Sequence, residues 1–168
     1  MKALVIGTFH QYQRWQDKSA ASVVIRARFA EYVRETIVER EIDLVAEEAG
    51  NDEDVWAALK MEDDRISPEF RPLFAETALV EGVQPTIARM EAERAGRRHV
   101  DIRDAGAGEM TIAQRDEAMA KRTVQAAGDA ASVVVIVGEA HRVGVARILS
   151  QEFGWEIENA LFPKAQDG

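Results

Sequence analysis

Two of the three histidines in this chain stand three residues after a glycine, in Gly7-Thr8-Phe9-His10 and in Gly138-Glu139-Ala140-His141. A third chemically loaded spot is the acidic pair Glu47-Glu48, which directly follows the apolar run Leu44-Val45-Ala46. Imidazoles and carboxylates together suit a divalent metal such as manganese, iron, cobalt or zinc. Held by three or four such ligands, an ion keeps a position for water, lowers that water's pKa and polarises a carbonyl or phosphoryl oxygen. His10, His141, Glu47 and Glu48 are therefore the candidate metal ligands. The same groups are candidate catalytic residues in a metal-free site, with one glutamate acting as general base. Gly7 and Gly138 are candidates for cofactor contact, because glycine lets backbone turn sharply and approach a ligand closely. Arg115 completes the set as a guanidinium able to steady developing negative charge or clamp a carboxylate. Glu139 and Asp104 are weaker candidates for orienting the histidines. One condition is geometric. Neighbouring residues in a strand point to opposite faces, so both glutamates serve one site only if Glu48 has left its strand.

What must position these residues is a set of buried strands. Residues 2–7, KALVIG, read as a short strand ending at glycine. From Ser19 to Arg40 the pattern is an amphipathic helix, with Ile25, Phe29, Val33 and Ile37 on one stripe and Arg26, Arg34, Glu35 and Glu39 off it. A second strand begins near Asp43 and runs into Glu47-Glu48, giving a strand-helix-strand unit. Residues 51–97 form a helical excursion cut into about three pieces by Pro68, Pro72 and Pro85. The third strand lies around His99–Arg103, and the helix after it opens with the capping-box pair Thr111 and Gln114 and stops at Gly128. Ser132–Val137 is the fourth strand, Val143–Gln151 a helix and Trp155–Ile157 a last short strand. Alternation of this kind predicts a single three-layer α/β domain over residues 1–168, with a mostly parallel sheet of about five strands flanked by helices. In such sheets ligands bind outside the carboxyl ends of the strands, which is where every candidate above falls.

Composition narrows the chemistry. The chain has no cysteine, which removes disulfides, thiol nucleophiles and iron–sulfur clusters. A net charge of −9 argues against nucleic acid as partner, and the small basic clusters Arg97-Arg98 and Lys121-Arg122 read as solvated helix ends. The apolar run after Lys2 is too short for a signal-peptide core or a membrane span, so a cytoplasmic protein without membrane association is expected. No glycine-rich phosphate loop and no serine in a nucleophile elbow occurs. Several residues have plainer readings. His99, inside the third strand, reads as structural or edge-exposed. Trp56, Phe70 and Phe74 read as a local core, while Tyr12 and Trp15 either line a pocket or staple the first helix. The first helix and the excursion offer a face for a homodimer, or serve a monomer's core.

With its two Gly-x-x-His motifs, the acidic pair after the second strand and Arg115 in a later helix, the chain resembles the TraB/TIKI superfamily, which includes erythromycin-esterase-like and ChaN-like proteins. The order Gly7–His10, Glu47–Glu48, Arg115, Gly138–His141 carries that resemblance. It implies an α/β domain with a polar site built from these residues, used among relatives for metal-dependent proteolysis, for lactone opening by histidine-activated water, or for binding haem.

The expectation is a small hydrolase that activates water against an ester, amide or related bond in a small-molecule or peptide substrate. The alternative is a non-catalytic protein whose same pocket binds haem, an anion or a small metabolite, or whose fold serves as a partner surface.

Overall fold

The computed structural model describes residues 1–9, 13, 20–49, 86–103 and 110–162, with the side chains of 20–22 left aside. His10, Asp104, Tyr12, Trp15, Trp56, Phe70 and Phe74, and most of the expected excursion, lie outside the described residues.

The described chain runs β1 (Lys2–Thr8), α1 (Ala20–Glu39), β2 (Leu44–Glu47), α2 (Ile87–Arg94), β3 (Arg98–Asp101), α3 (Ile112–Ala127), β4 (Ser132–Gly138), α4 (Glu139–Phe153) and β5 (Glu156–Leu161). The strands form one sheet in the order β3-β2-β4-β1-β5, and every pairing is parallel. β1 and β4, central and buried on both faces, are the β-branched runs that parallel strands need.

Alternation along each strand divides the core. Ala3, Val5, Leu44, Ala46, Val133, Val135 and Val137 face α3 and α4, packing on Met119, Ala120, Val145 and Leu149. Leu4, Ile6, Val45, Val134 and Ile136 face α1 and α2, packing on Phe29, Val33, Ile37, Ile87 and Ala88. The predicted stripe of α1 is the buried one: Phe29, Val33 and Ile37 are at most 1% exposed. Arg26, placed off that stripe by the helical pattern, is nonetheless buried.

This division decides where a ligand can enter. β4 lies between β2 and β1, yet the chain leaves β4 toward the α3–α4 face, whereas β1 and β2 lead to helices on the α1–α2 face. In doubly wound parallel sheets such a reversal marks the place where ligands bind, beyond the carboxyl ends of the strands.

Three boundaries differ from expectation. β3 stops at Asp101 rather than Arg103, because the Asp101 carboxylate accepts from the Arg103 N–H at 2.9 Å and the Ala49 N–H at 3.1 Å and turns the backbone out of the ladder. α4 starts at Glu139, four residues earlier than Val143, with no loop after β4. β5 extends to Leu161, its polar residues tolerated because an edge strand has a partner on one side only. The capping box predicted at Thr111 and Gln114 is present in both directions.

Candidate active site

The two glutamates after the second strand do not point into one cluster. Glu47 is the last residue of β2 and shares a face with Val45, which packs against α1 and α2. Glu48 has left the strand, though its N–H still donates to the Ile136 carbonyl at 2.8 Å, and its side chain goes to the end of β4. Leaving the strand did not bring the two carboxylates together. They take different sets of side-chain partners, so the expected convergence of both on His141 is corrected to two adjoining clusters.

The first cluster centres on Glu47, whose side chain is wholly buried. Its Oε1 accepts from Gln13 Nε2 at 2.9 Å. Its Oε2 accepts from the Thr86 hydroxyl and lies 2.9 Å from His99 Nε2, which carries the proton when it faces an ionised carboxylate. Each partner arrives from a different element. Thr86 caps α2 with the same oxygen, accepting from the Arg89 N–H at 3.3 Å. His99 is the register partner of Val45 and so shares the face of Glu47. His99 is therefore not edge-exposed; its side chain is 7% exposed and structural in the stronger sense of hydrogen-bonding a buried carboxyl group.

The second cluster centres on His141. This residue sits in the first turn of α4, three residues beyond the end of β4, not in a loop. Its Nδ1 lies 2.7 Å from Asp116 Oδ1, and its Nε2 lies 3.7 Å from Glu48 Oε1. Glu48 Oε2 accepts from the Gly138 N–H at 2.9 Å, which fixes that carboxylate at the strand-to-helix turn. All three side chains are less than a tenth exposed. Burial pushes the Asp116 carboxyl above its ordinary range, with the charge of Glu48 acting the same way and the His141 contact and Arg147 opposing it. Gln13 links the clusters: the amide that serves Glu47 also reaches the Glu48 carbonyl at 3.4 Å.

Asp116 was not a candidate from the sequence, although its neighbour Arg115 was. One signal for it existed. Gly144 stands in mid-helix, where glycine costs about 1 kcal/mol against alanine, and a Cβ there would lie 1.8 Å from Asp116 Oδ2. The glycine lets α3 press its aspartate against α4 and hold the imidazole.

Arg115 is half-buried near the start of α3, and its Nε is buried without a hydrogen-bond partner. Gly138 serves the site through its N–H rather than through a cofactor. Gly7 admits the side chain of Arg142, whose Cδ would be 2.8 Å from a Cβ at that position. Glu139 makes no hydrogen bond to either histidine among the described residues.

The donor chemistry for a metal is partly met. Two atoms bound about 2 Å from one ion stand roughly 3–3.4 Å apart, so His141 Nε2 and Glu48 Oε1 at 3.7 Å are near that spacing. A Nδ1 held by a carboxylate is also how a ligating histidine is usually oriented. Glu47 does not fit the ligand role expected of it, because both its oxygens already accept from Gln13, Thr86 and His99. His10 lies outside the described residues. Among the described residues no group of three His, Cys, Asp or Glu side chains is arranged to hold an ion, and no helix is long and apolar enough to cross a membrane.

No protein-family model matches this chain, and neither curated proteins nor solved structures give a match.

Proposed function

We propose that this chain is a small hydrolase in which His141, oriented by Asp116, activates a water molecule against an ester, amide or related bond. The carrying observation is the buried line from Asp116 Oδ1 to His141 Nδ1 at 2.7 Å and from His141 Nε2 to Glu48 Oε1 at 3.7 Å. With Nδ1–H donated to the aspartate, Nε2 presents its lone pair. At 3.7 Å the two atoms are beyond direct hydrogen-bonding range and too close for a water between them, so the proposed water sits beside the pair and donates to Nε2. His141 takes the proton as that water's oxygen bonds to the substrate carbonyl carbon, and returns it to the alcohol or amine when the scissile bond breaks. Arg115, unpartnered at Nε, is the candidate for steadying the oxyanion between those steps. The motif order that resembles the TraB/TIKI superfamily supports the same assignment of roles.

A divalent metal (Mn, Fe, Co or Zn) would be held by His141 and Glu48, with His10 the further ligand the sequence suggests, and would supply a water of lowered pKa. Glu47 has a different part: it ties β2, β3, the start of α2 and Gln13 into one support beneath the site.

The test is hydrolysis of ester, peptide and phosphoester panels by protein purified without chelator, with elemental analysis of the same sample. His141→Gln is expected to lower the rate at least about 100-fold and Asp116→Asn to lower kcat with little change in KM. A panel on which wild type and His141→Gln are equally active, or equally inert, removes the hydrolase reading. In the inert case the non-catalytic binding protein becomes the better account.

A further inference from the structure

We propose that the ligand of the carboxyl edge carries an oxyanion group, a carboxylate or a phosphate, received by Arg142, the amino terminus of α4 and the Thr8 hydroxyl. This deepens the hydrolase reading by giving its substrate a charge, but the binding claim stands or falls by itself.

Arg142 follows His141 directly in the first turn of α4. Its aliphatic stem lies over Gly7 near the end of β1, at a closeness no side chain there would permit. Its Nε is wholly buried without a hydrogen-bond partner, and the guanidinium makes no ion pair among the described residues. That is unusual in a chain with 30 acidic residues against 21 basic ones. The other described arginines that are not exposed have partners, apart from Arg115, which shares this edge.

A second unsatisfied group lies one residue on from Gly7. Thr8 is 2% exposed and its Oγ1 has no hydrogen-bond partner, although a buried hydroxyl left unpaired is destabilising. Thr8 pairs in register with Gly138, the N-cap of α4. That N-cap is a glycine, and no side chain caps the helix. The Gly138 N–H is taken by Glu48, but the N–H groups of the first helical turn and the positive end of a 15-residue helix remain for an anion. Strand alternation sends Thr8 to the opposite face from Gly7, so a group resting across the tip of β1 meets the hydroxyl from one side and Arg142 from the other. Of the neighbouring carboxylates, Glu48 is engaged by the Gly138 N–H and Asp116 by His141, while Glu139 stands in the first turn of α4 itself, so Arg142 supplies the positive charge that the anion needs.

The experiment is thermal denaturation of the full chain titrated with sodium phosphate or sodium acetate, each against sodium chloride of equal ionic strength. A saturable rise in Tm with one oxyanion is expected, the arm that responds naming the group. Arg142→Gln should weaken apparent affinity at least tenfold and Thr8→Val several-fold. Gly7→Ala, which keeps the charge but displaces the stem, should weaken it as well. Arg40→Gln, an exposed change at the opposite edge of the sheet, should leave it unchanged. Arg142→Lys covers the event that the glutamine variant does not fold, and should retain part of the affinity. Equal, unsaturating responses to all three salts, or unchanged affinity in the Arg142 variants and in Gly7→Ala, overturn the proposal. His141→Gln should still bind the anion, so loss of hydrolysis and loss of anion binding are separable results.

Discussion

The two edges of this sheet are built on opposite electrostatic plans. At the amino edge the charges are exposed and paired by opposite sign. Arg40 makes a two-pronged contact with Glu158 at 2.6 and 2.8 Å, Arg97 lies 3.8 Å from Asp43, and Lys2 lies 3.9 Å from Glu156. Asp43 also accepts from the N–H groups of Ala131 and Ser132, which hold its carboxyl below the usual range and tie β2 to the start of β4. A cavity of about 260 Å³ lies here, lined by Arg40, Glu156 and Glu158 among others. It is a shallow recess between solvated ion pairs, with nothing in it that binds or transfers a proton from a buried position. At the carboxyl edge, Glu47, Glu48 and Asp116 are all buried, and they are hydrogen-bonded or faced by two histidines, the Thr86 hydroxyl, the Gln13 amide and the Gly138 N–H. Exposed ion pairs cost little and contribute little, whereas buried carboxylates are tolerated only when every lone pair is served. Concentrating them at one edge costs stability, which is the pattern expected if the proposed chemistry takes place there.

Substitutions should therefore be harsh at one edge and mild at the other. The largest effect is expected from Glu47→Ala, which leaves the Thr86 hydroxyl, the Gln13 amide and the His99 ring without their shared acceptor. A loss of about 3–5 kcal/mol in urea denaturation is expected, as when one partner leaves a buried charged network. A loss below 1 kcal/mol would mean that Glu47 is as dispensable as an amino-edge charge.

Next comes Gly144→Ala. Its Cβ would collide with the Asp116 carboxylate, and overpacking of this kind costs about 1–3 kcal/mol despite alanine's better helix propensity. Under the proposed mechanism it also lowers hydrolysis, by tilting Asp116 away from His141. A more stable protein would show that α3 and α4 can part without strain.

Asp116→Asn probes the same contact through pH. The folded carboxyl titrates above its unfolded value. As pH rises past about 4, the unfolded chain ionises first and the wild type loses stability until the folded carboxyl ionises too. Asparagine removes that slope, so the Tm of the variant should fall less between about pH 4 and 5 than that of the wild type. Parallel curves would show that Asp116 titrates normally.

The smallest effect is expected at the other edge. Arg40→Ala should shift Tm slightly at low salt and not at all in 1 M sodium chloride, because the Arg40–Glu158 pair is exposed and screened. A large, salt-independent loss would erase the contrast between the edges.

Much of this arrangement was legible in the residues. The apolar run at Leu4–Ile6 and the β-branched run at Val133–Val137 announce buried parallel strands. The spacing of Phe29, Val33 and Ile37 marks the face of α1, and Thr111 with Gln114 marks the start of α3. These are local signals, carried by periods of two and 3.6 residues and by hydrogen bonds spanning a single turn. The start of α4 was not legible in the same way, since Gly138-Glu139-Ala140-His141 serves equally as loop or first turn, and packing against β1 and β5 resolves it into a helix. The roles of His99 and Asp116 were illegible for a different reason: each depends on a partner far off in the chain, Glu47 at a separation of 52 residues and His141 at 25.

From the sequence alone came the class of fold and the placing of His141, Glu48 and Arg115 toward the carboxyl edge of the sheet. Tertiary structure alone decided that Glu47 and Glu48 part company, that His99 bonds the one and His141 faces the other, and that Asp116 stands behind His141. The reason is geometric. Hydrophobic period and capping are written within a few consecutive residues, while the direction of a side chain beyond a strand's end depends on which distant segments pack around it.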